Sequence, residues 1–395
     1  MTRDSLAVDE VPEKRQLVEH NSIFSKLRNW VLSWFQWTPM SLSALRTAEK
    51  KILSCLKTAY RGWYVDIGPA VGASDKIWTI SLNEDSPKTP ILLLHGLGAG
   101  VALWCLNLDH IAASRPVYAI DLLGFGRSSR PKFSSDPLEA EGQLVKSVEE
   151  WRKEMQLEKM VVLGHSMGGF LAASYAIKYP DRVSHLILAD PWGFPECPKE
   201  YKSNVPTLYR VIGSVLTRMN PLWAVRFAGP FGQSLIEKVR PDIMKKFSSV
   251  LDDKDGQSII SQYIFQCNAQ TPTGESAFHA MMVGFGWAKH PMVHRIHELR
   301  ADVPMTLVYG SRSWVDNTNS HIIKEKRPNS FVNVQIISGA GHHVYADKSD
   351  VFNNHVERAC QMADDPSIML SKAALEEKES TESQPSKEPS EKKDD

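Results

Sequence analysis

The sequence predicts an α/β fold: a mostly parallel central sheet with helices on both faces and a helical cap inserted late in the chain. Three observations carry that reading. Short apolar, β-rich runs alternate with helix-like stretches up to residue 193, the pattern of a sheet buried on both faces. The alternation then breaks between residues 194 and 303, where only helical patterns occur. A structureless loop of that length is improbable inside a compact domain, so an insertion with its own structure is expected. Finally, a glycine-flanked serine sits where one apolar run passes into a helix, in VVLGHSMGGFLA (161–172).

Taken in chain order, residues 1–20 are polar and read as disordered. Residues 21–60 form a Trp-rich amphipathic segment. Phe24, Leu27, Trp30, Val31, Trp34, Phe35 and Trp37 recur at near-helical spacing up to Pro39. Lys26, Arg28, Arg46, Lys50, Lys51 and Lys57 accompany them, with Glu49 opposing. Pattern alone leaves two readings open: Trp30, Trp34 and Trp37 anchor the chain in a lipid interface, or they fold onto the domain. The first part of the core spans 61–193, with strands expected at IWTISL (77–82), PILLLHG (90–96), PVYAIDLLG (116–124), KMVVLGHS (159–166) and SHLILADPWG (184–193). Helices are expected at LVKSVEEWRKEMQ (144–156) and FLAASYAIKYP (170–180).

The cap is placed at 194–303, over the carboxyl edge of the sheet, where open α/β sheets hold their sites. Its helices are expected at YRVIGSVLTRMN, PLWAVRFAG, GQSLIEKV, SIISQYIFQ and ESAFHAMMVGFGW. Met219, Leu222, Trp223 and Phe227, interspersed with Arg218 and Arg226, read as ordinary cap core with an apolar lipid-facing rim as the alternative. Core strands resume at PMTLVYGS (304–311) and VNVQIISGAGH (332–342), completing a second part at 304–365. The tail, 366–395, is rich in Glu, Lys, Ser and Pro and has almost nothing to bury.

Composition excludes several classes. Lys plus Arg number 46 and Asp plus Glu 46, so no overall field points to nucleic acid. Five scattered cysteines, odd in number and without C-x-x-C spacing, argue against a disulfide framework or a zinc site. The beginning of the chain lacks an apolar signal region, and no run approaches the length of a membrane span. The expectation is a cytoplasmic protein without metal or redox cofactor.

Chemistry enters with Gly164-His165-Ser166-Met167-Gly168, a G-x-S-x-G between strand and helix. That context is the nucleophile elbow, in which small neighbours permit a strained turn that exposes the serine hydroxyl. Its partners should follow in the order Ser, acid, His. Asp316, in VYGSRSWVD, and His342, in SGAGHHVYAD, lie just beyond later strands and satisfy that order. His343 competes for the base, and His342, directly after Gly341, is preferred. In this scheme His342 takes the Ser166 proton and Asp316 orients the imidazole. Backbone N–H groups of Met167 and of Leu97, in the Gly-rich LLLHGLGAG (92–100), stabilise the oxyanion.

Together HGLGAG, DLLGFGRSSRP (121–131), GHSMGG, LADPWGFP (188–195), YGSRSWVD and GAGHHVYAD resemble the α/β-hydrolase-domain family, over residues 40 to 362. PWGFP and HxVYAD are similar to one branch, which pairs N-acylphosphatidylethanolamine lysophospholipases with a lipid-droplet coactivator of adipose triglyceride lipase. The coactivator carries Asn at the position of Ser166; the lysophospholipase keeps the serine. The resemblance therefore implies an α/β-hydrolase fold and a serine hydrolase acting on phospholipid or lysophospholipid at a membrane or droplet surface. It also implies that Trp30, Trp34 and Trp37 belong to a droplet anchor. Arg312 and Gly341 match residue types by which the coactivator engages its lipase, so a triglyceride lipase and droplet-coat proteins are the implied partners.

Two alternatives accompany the hydrolase reading. One is a coactivator scaffold. The other is an acyl-CoA-dependent lysophosphatidic acid acyltransferase, from the resemblance of His342…Asp347 to an H-x-x-x-x-D motif. Chance spacing accounts for that match, and Asp347 reads as the N-cap of the helix after it. Epoxide hydrolase and dehalogenase chemistry is disfavoured, because it needs a carboxylate at position 166.

Overall fold

A computed structural model describes residues 40–198, 220, 222–251, 253–284, 286–317 and 319–368. The strands are β1 (Tyr60–Gly68), β2 (Asp75–Leu82), β3 (Ile91–Leu94), β4 (Val117–Ile120), β5 (Met160–His165), β6 (Val183–Ala189), β7 (Met282–Val283), β8 (Trp287–Ala288), β9 (Met305–Gly310) and β10 (Val332–Ile337). Eight of them form one sheet in the order β1-β2-β4-β3-β5-β6-β9-β10. The β1/β2 and β2/β4 pairs are antiparallel. All remaining pairs of that sheet run parallel. The carboxyl ends of β3, β5, β6, β9 and β10 therefore open on one edge. The central strands β3 to β6 are almost wholly apolar and buried, which is why they read as continuous rather than alternating runs.

The helices are α1 (Leu42–Leu53), α2 (Cys105–Ala112), α3 (Pro137–Glu154), α4 (Met167–Lys178), α5 (Trp223–Phe227), α6 (Gly232–Val239), α7 (Pro241–Lys246), α8 (Asp253–Asn268), α9 (Thr273–Met281), α10 (Asn319–Lys326), α11 (Val344–Asp347) and α12 (Ser349–Asp364). They cover both faces of the sheet. One apolar cluster gathers α1, α2, α8 and α12, with Trp104, Tyr263 and Phe352 buried in it. The other gathers α3, α4 and α9 around Trp151, Phe170, Tyr175 and Trp192. Helix α3 begins earlier than periodicity suggests. Asp136 accepts the N–H groups of Leu138 and Glu139, and Pro137 occupies the first turn, a cap worth about 1 kcal/mol.

Three features differ from the sequence expectation. Strand β1 (YRGWYVDIG) was not among the expected strands. It is an edge strand whose residues are mostly half-exposed or exposed, so its apolar signal is diluted. Second, the ESAFHAMMVGFGW stretch is helical only to Met281 and then turns into the β7/β8 hairpin. Met282 is already extended (φ −90°, ψ 146°), and Gly284 (φ 58°) and Gly286 (φ 106°) take the left-handed backbone of the turn between the two strands. Third, part of the segment at 21–60 belongs to the packed domain. Helix α1 buries Leu45, Ala48, Ile52 and Leu53 and lies against α8. Its Glu49 pairs with Arg127 (2.6 Å), whose guanidinium stacks 3.3 Å from the Trp78 ring centroid. Trp30, Trp34 and Trp37, like the YRVIGSVLTRMN stretch up to Met219, with Arg218, lie outside the described residues. No helix among the described residues is long and apolar enough to cross a membrane.

Candidate active site

The carboxyl edge of β5 delivers Ser166 directly into α4. Ser166 has φ 54° and ψ −118°, a left-handed strain costing on the order of 1–3 kcal/mol that the surroundings must enforce. They do so by contact. A Cβ on Gly164 would overlap the Gly168 carbonyl, and one on Gly168 would overlap the carbonyls of Leu94 and His95. Glycine at both flanks is therefore a packing requirement, and the hydroxyl is left at the mouth of the sheet with Ser166 8% exposed.

His342 arrives from the loop after β10, and its Nε2 lies 3.0 Å from Ser166 Oγ. The residue on its other nitrogen is not the expected one. Asp190 Oδ2 sits 2.5 Å from His342 Nδ1, which corrects the assignment of Asp316 as the orienting acid. The physical reason is topological. Strand β6 lies between β5 and β9, and Asp190 is the first residue beyond it, with φ 47°. Its N–H donates to Val308 O (2.8 Å). Its carboxylate accepts Gly310 N–H at 3.3 Å and the Ser313 hydroxyl. Fully buried, Asp190 thus faces the histidine loop across β9. Asp316 stands six residues past the end of β9, where its charge, after burial and Asp190, adds to the upward shift of the Tyr309 phenol.

The two segments that carry the expected oxyanion donors both meet the elbow. The Gly96–Leu97 peptide passes directly over the elbow, since a Cβ on Gly96 would come within 3.0 Å of Ser166 Cβ. Its orientation is set by His95, which sequence reading passed over. Leu122 N–H donates to His95 Nε2 (3.1 Å), so the proton is on Nδ1, which donates to Gly96 O (2.8 Å). Burial holds His95 neutral by lowering its pKa. Ala99 N–H donates to the same carbonyl (3.3 Å). With the Gly96 carbonyl turned away, the trans peptide aims Leu97 N–H in the opposite direction. Met167 N–H opens α4, where first-turn donors have no helical acceptor. From the cap, Asn268 Nδ2 donates to Gly98 O (2.9 Å) and steadies the far side of the loop.

His165, beside the nucleophile, is a second residue that sequence reading missed. Its Nε2–H donates to His342 O (2.9 Å), and its ring lies 4.8 Å from that of His342. Burial, reinforced by His342, drives its pKa well below the ordinary value, so it serves as a neutral strut. His343, the rejected alternative for the base, points elsewhere and is likewise kept neutral by burial. Trp314, 60% exposed, stands with its ring 4.9 Å from that of His342 and forms the outer wall.

Arg312 and Gly341 are brought to the same loop. Arg312 N–H donates to Ala340 O (2.8 Å), and its guanidinium donates to Gly339 O (3.0 Å from Nε). Gly341 N–H donates to Asp347 Oδ2 (2.8 Å). Asp347 is therefore not the N-cap of α12, a place taken by Lys348 without a side-chain bond. Its second oxygen instead meets Lys246 Nζ of α7 (3.0 Å).

Comparison with known proteins agrees with this architecture. The α/β hydrolase fold family model matches residues 89–349. The chain is 48% identical over 328 residues to 1-acylglycerol-3-phosphate O-acyltransferase ABHD5 of Sus scrofa, covering 82% of this chain and 91% of that one. It is equally 48% identical over 328 residues to (lyso)-N-acylphosphatidylethanolamine lipase of Homo sapiens, covering 82% and 93%. Among solved structures it shares its fold with a naproxen esterase from Bacillus subtilis (TM-score 0.55, 14% identity, 81% of this chain and 99% of that one). A bacterial membrane phospholipase A is similarly alike (TM-score 0.54, 20% identity, 87% and 97%). A sheet of this order, a strained serine at the end of its fifth strand and a histidine from its last loop thus meet a family match over most of the chain: the protein belongs to the α/β hydrolase fold family.

Proposed function

We propose that this protein is a serine hydrolase that cleaves acyl esters of phospholipids or lysophospholipids at a membrane or droplet surface. The observation that carries the reading is the continuous contact Ser166–His342–Asp190 at 3.0 and 2.5 Å. Ser166 Oγ attacks the ester carbonyl while His342 Nε2 takes its proton. Asp190 keeps the proton of the neutral imidazole on Nδ1 and stabilises the imidazolium that follows. The tetrahedral oxyanion lies between the N–H groups of Leu97 and Met167. The imidazolium then protonates the departing alcohol. Water, activated by the same base, releases the fatty acid from the acyl-enzyme. No step needs a metal or redox cofactor.

Lipid as the substrate class rests on the relatives named for lysophospholipid and N-acylphosphatidylethanolamine chemistry. Exposed rings agree with it: Phe227 is 77% and Phe231 69% exposed on the cap. A fluorophosphonate probe on the full chain, wild type beside Ser166→Ala, tests the serine. Labelling confined to the wild type, with fatty acid released from lyso-N-acylphosphatidylethanolamine micelles, supports the proposal. A folded wild type that neither labels nor releases fatty acid refutes it.

The second reading, a droplet coactivator of a triglyceride lipase, draws on Arg312 and Gly341 lying together at the rim of the site. Stimulation of such a lipase by Ser166→Ala protein, abolished by Arg312→Ala, is its expected outcome. Acyl transfer from acyl-CoA through the same serine is the third reading, named for the ABHD5 relatives. It gains nothing from Asp347, whose carboxylate is engaged by Gly341 and Lys246.

A further inference from the structure

The backbone around His342 is tethered at successive residues. Gly339 N–H donates to Ser311 Oγ (2.8 Å), and Arg312 holds the carbonyls of Gly339 and Ala340. His165 holds the carbonyl of His342. All of these tethers come from the core. The remaining one, Gly341 N–H to Asp347 Oδ2, ends on a carboxylate whose other oxygen pairs with the cap through Lys246. Both charged side chains are largely shielded, Lys246 being 11% and Asp347 18% exposed.

We infer that Asp347 is a positioning residue for His342, and that Lys246 makes this positioning depend on the seating of the cap. The inference rests on the reading of His342 as general base. Asp347 does not touch the imidazole. It fixes the Ala340–Gly341 peptide, whose carbonyl Arg312 N–H holds from the other end, and so sets the path of Gly341 into His342 and the direction in which the ring leaves the backbone. Lys246 holds the carboxylate from the opposite side, so its two oxygens are used at once. A cap displaced at α7 takes Lys246 with it. Lys246 keeps a companion in Asp242, 3.8 Å away on the same helix, whereas Lys246 is the one salt-bridge partner of Asp347 among the described residues. The carboxylate is then free to leave Gly341, and a misplacement of about 1 Å at a reacting group costs on the order of a hundredfold in rate. The His342…Asp347 spacing accordingly has a geometric use: one short helix, α11, folds the carboxylate back onto the loop that precedes it.

The test measures the second-order rate of fluorophosphonate labelling of Ser166 in the full chain. It is paired with thermal midpoints and with kcat and KM on a soluble short-chain ester. For Asp347→Ala, labelling and kcat should fall about ten- to a hundredfold with KM little changed, the range for losing a charge-assisted hydrogen bond. Asp347→Asn keeps an acceptor for Gly341 but not the charge, and should lose about fivefold. Lys246→Met should lose a similar factor in the wild-type background and nothing further in the Asp347→Ala background, because it acts through the carboxylate. Labelling of folded Asp347→Ala and Asp347→Asn within twofold of wild type overturns the inference. So does a Lys246→Met effect that persists without Asp347. If Asp347→Ala fails to fold, the Asn variant and Lys246→Met in the wild-type and Asp347→Asn backgrounds decide alone, an additive Lys246→Met effect in the latter overturning the inference. A wild type that does not label overturns the hydrolase reading, and the positioning role falls with it.

Discussion

Replacing Asp190 by Asn separates the acid seen on His342 from the one expected of the sequence. Asn is the conservative choice, because it tolerates the left-handed backbone at this position (φ 47°) and nearly preserves volume. What it removes is the charge 2.5 Å from Nδ1. As His342 takes the serine proton, it becomes a cation beside a fully buried carboxylate. At an effective dielectric of about 20, charges some 4 Å apart attract by about 4 kcal/mol, close to three orders of magnitude in rate. An amide that donates to Nδ1 adds to the loss by favouring the wrong tautomer, and such replacements reach about 10⁴ in other triads. We therefore expect Asp190→Asn to lower kcat by roughly 10³ to 10⁴ with KM nearly unchanged. Asp316→Asn should change it by less than about threefold, since surface and flanking charges act weakly. The assay is hydrolysis of a soluble ester, with fluorophosphonate labelling and thermal midpoints for each variant. If Asp316→Asn carries the large loss while folded Asp190→Asn retains activity, the geometric argument is refuted.

The His95→Phe variant should retain the fold but lose about ten- to a hundredfold in kcat/KM, somewhat less than removal of a whole oxyanion donor; unchanged turnover would show that the Gly96–Leu97 peptide keeps its orientation without help. Replacing Trp30, Trp34 and Trp37 together by Ala should release the protein from lipid droplets in a flotation assay, and undiminished flotation would remove those rings from the anchor. Burial lowers the pKa of His185 to about 3 from the ordinary 6.5. Its unfolded form therefore binds a proton that the native form refuses, so stability falls as pH drops below 6.5 and the loss ends near 3. Between pH 6.5 and 5 this one residue costs about 2 kcal/mol. Urea titrations of His185→Gln should show a shallower pH dependence by one proton, and an unaltered slope would contradict it.

The sheet was legible because its central strands are buried on both faces and nearly uninterrupted in apolar character. The edge strand β1 was not, because a half-exposed strand interleaves polar and apolar residues. At the site, Ser166 announced itself through glycine packing that sequence records directly. The acid did not. Both Asp190 and Asp316 stand after strands and precede His342 in the chain, and order alone cannot say which carboxylate crosses to the imidazole. That depends on β6 lying between β5 and β9. His95 and His165 were invisible for a different reason. His165 donates to a carbonyl of another loop, and His95 is set against Gly96 O by a bond from Leu122 N–H, distant in sequence; no spacing within the chain encodes such partners.

Arg130 gives the cap a fixed root. Its guanidinium donates to Gly124 O and Gly126 O in the loop after β4, and to Cys267 O, Thr271 O and the Gln270 amide oxygen at the end of α8. Burial lowers its pKa, yet only to about 10, so it stays charged. Breaking that set together would leave a buried cation without partners, a cost of several kcal/mol. The cap is held firmly at this corner, where Arg226 of α5 also meets Asn268 O and Glu275. On the hydrolase reading proposed above, substrate and product would pass at another part of the rim, such as the one where α7 meets the core through Lys246 and Asp347. A site entered there would select its substrates by what can slide in laterally, as a lipid does when it rises from a leaflet without leaving it entirely.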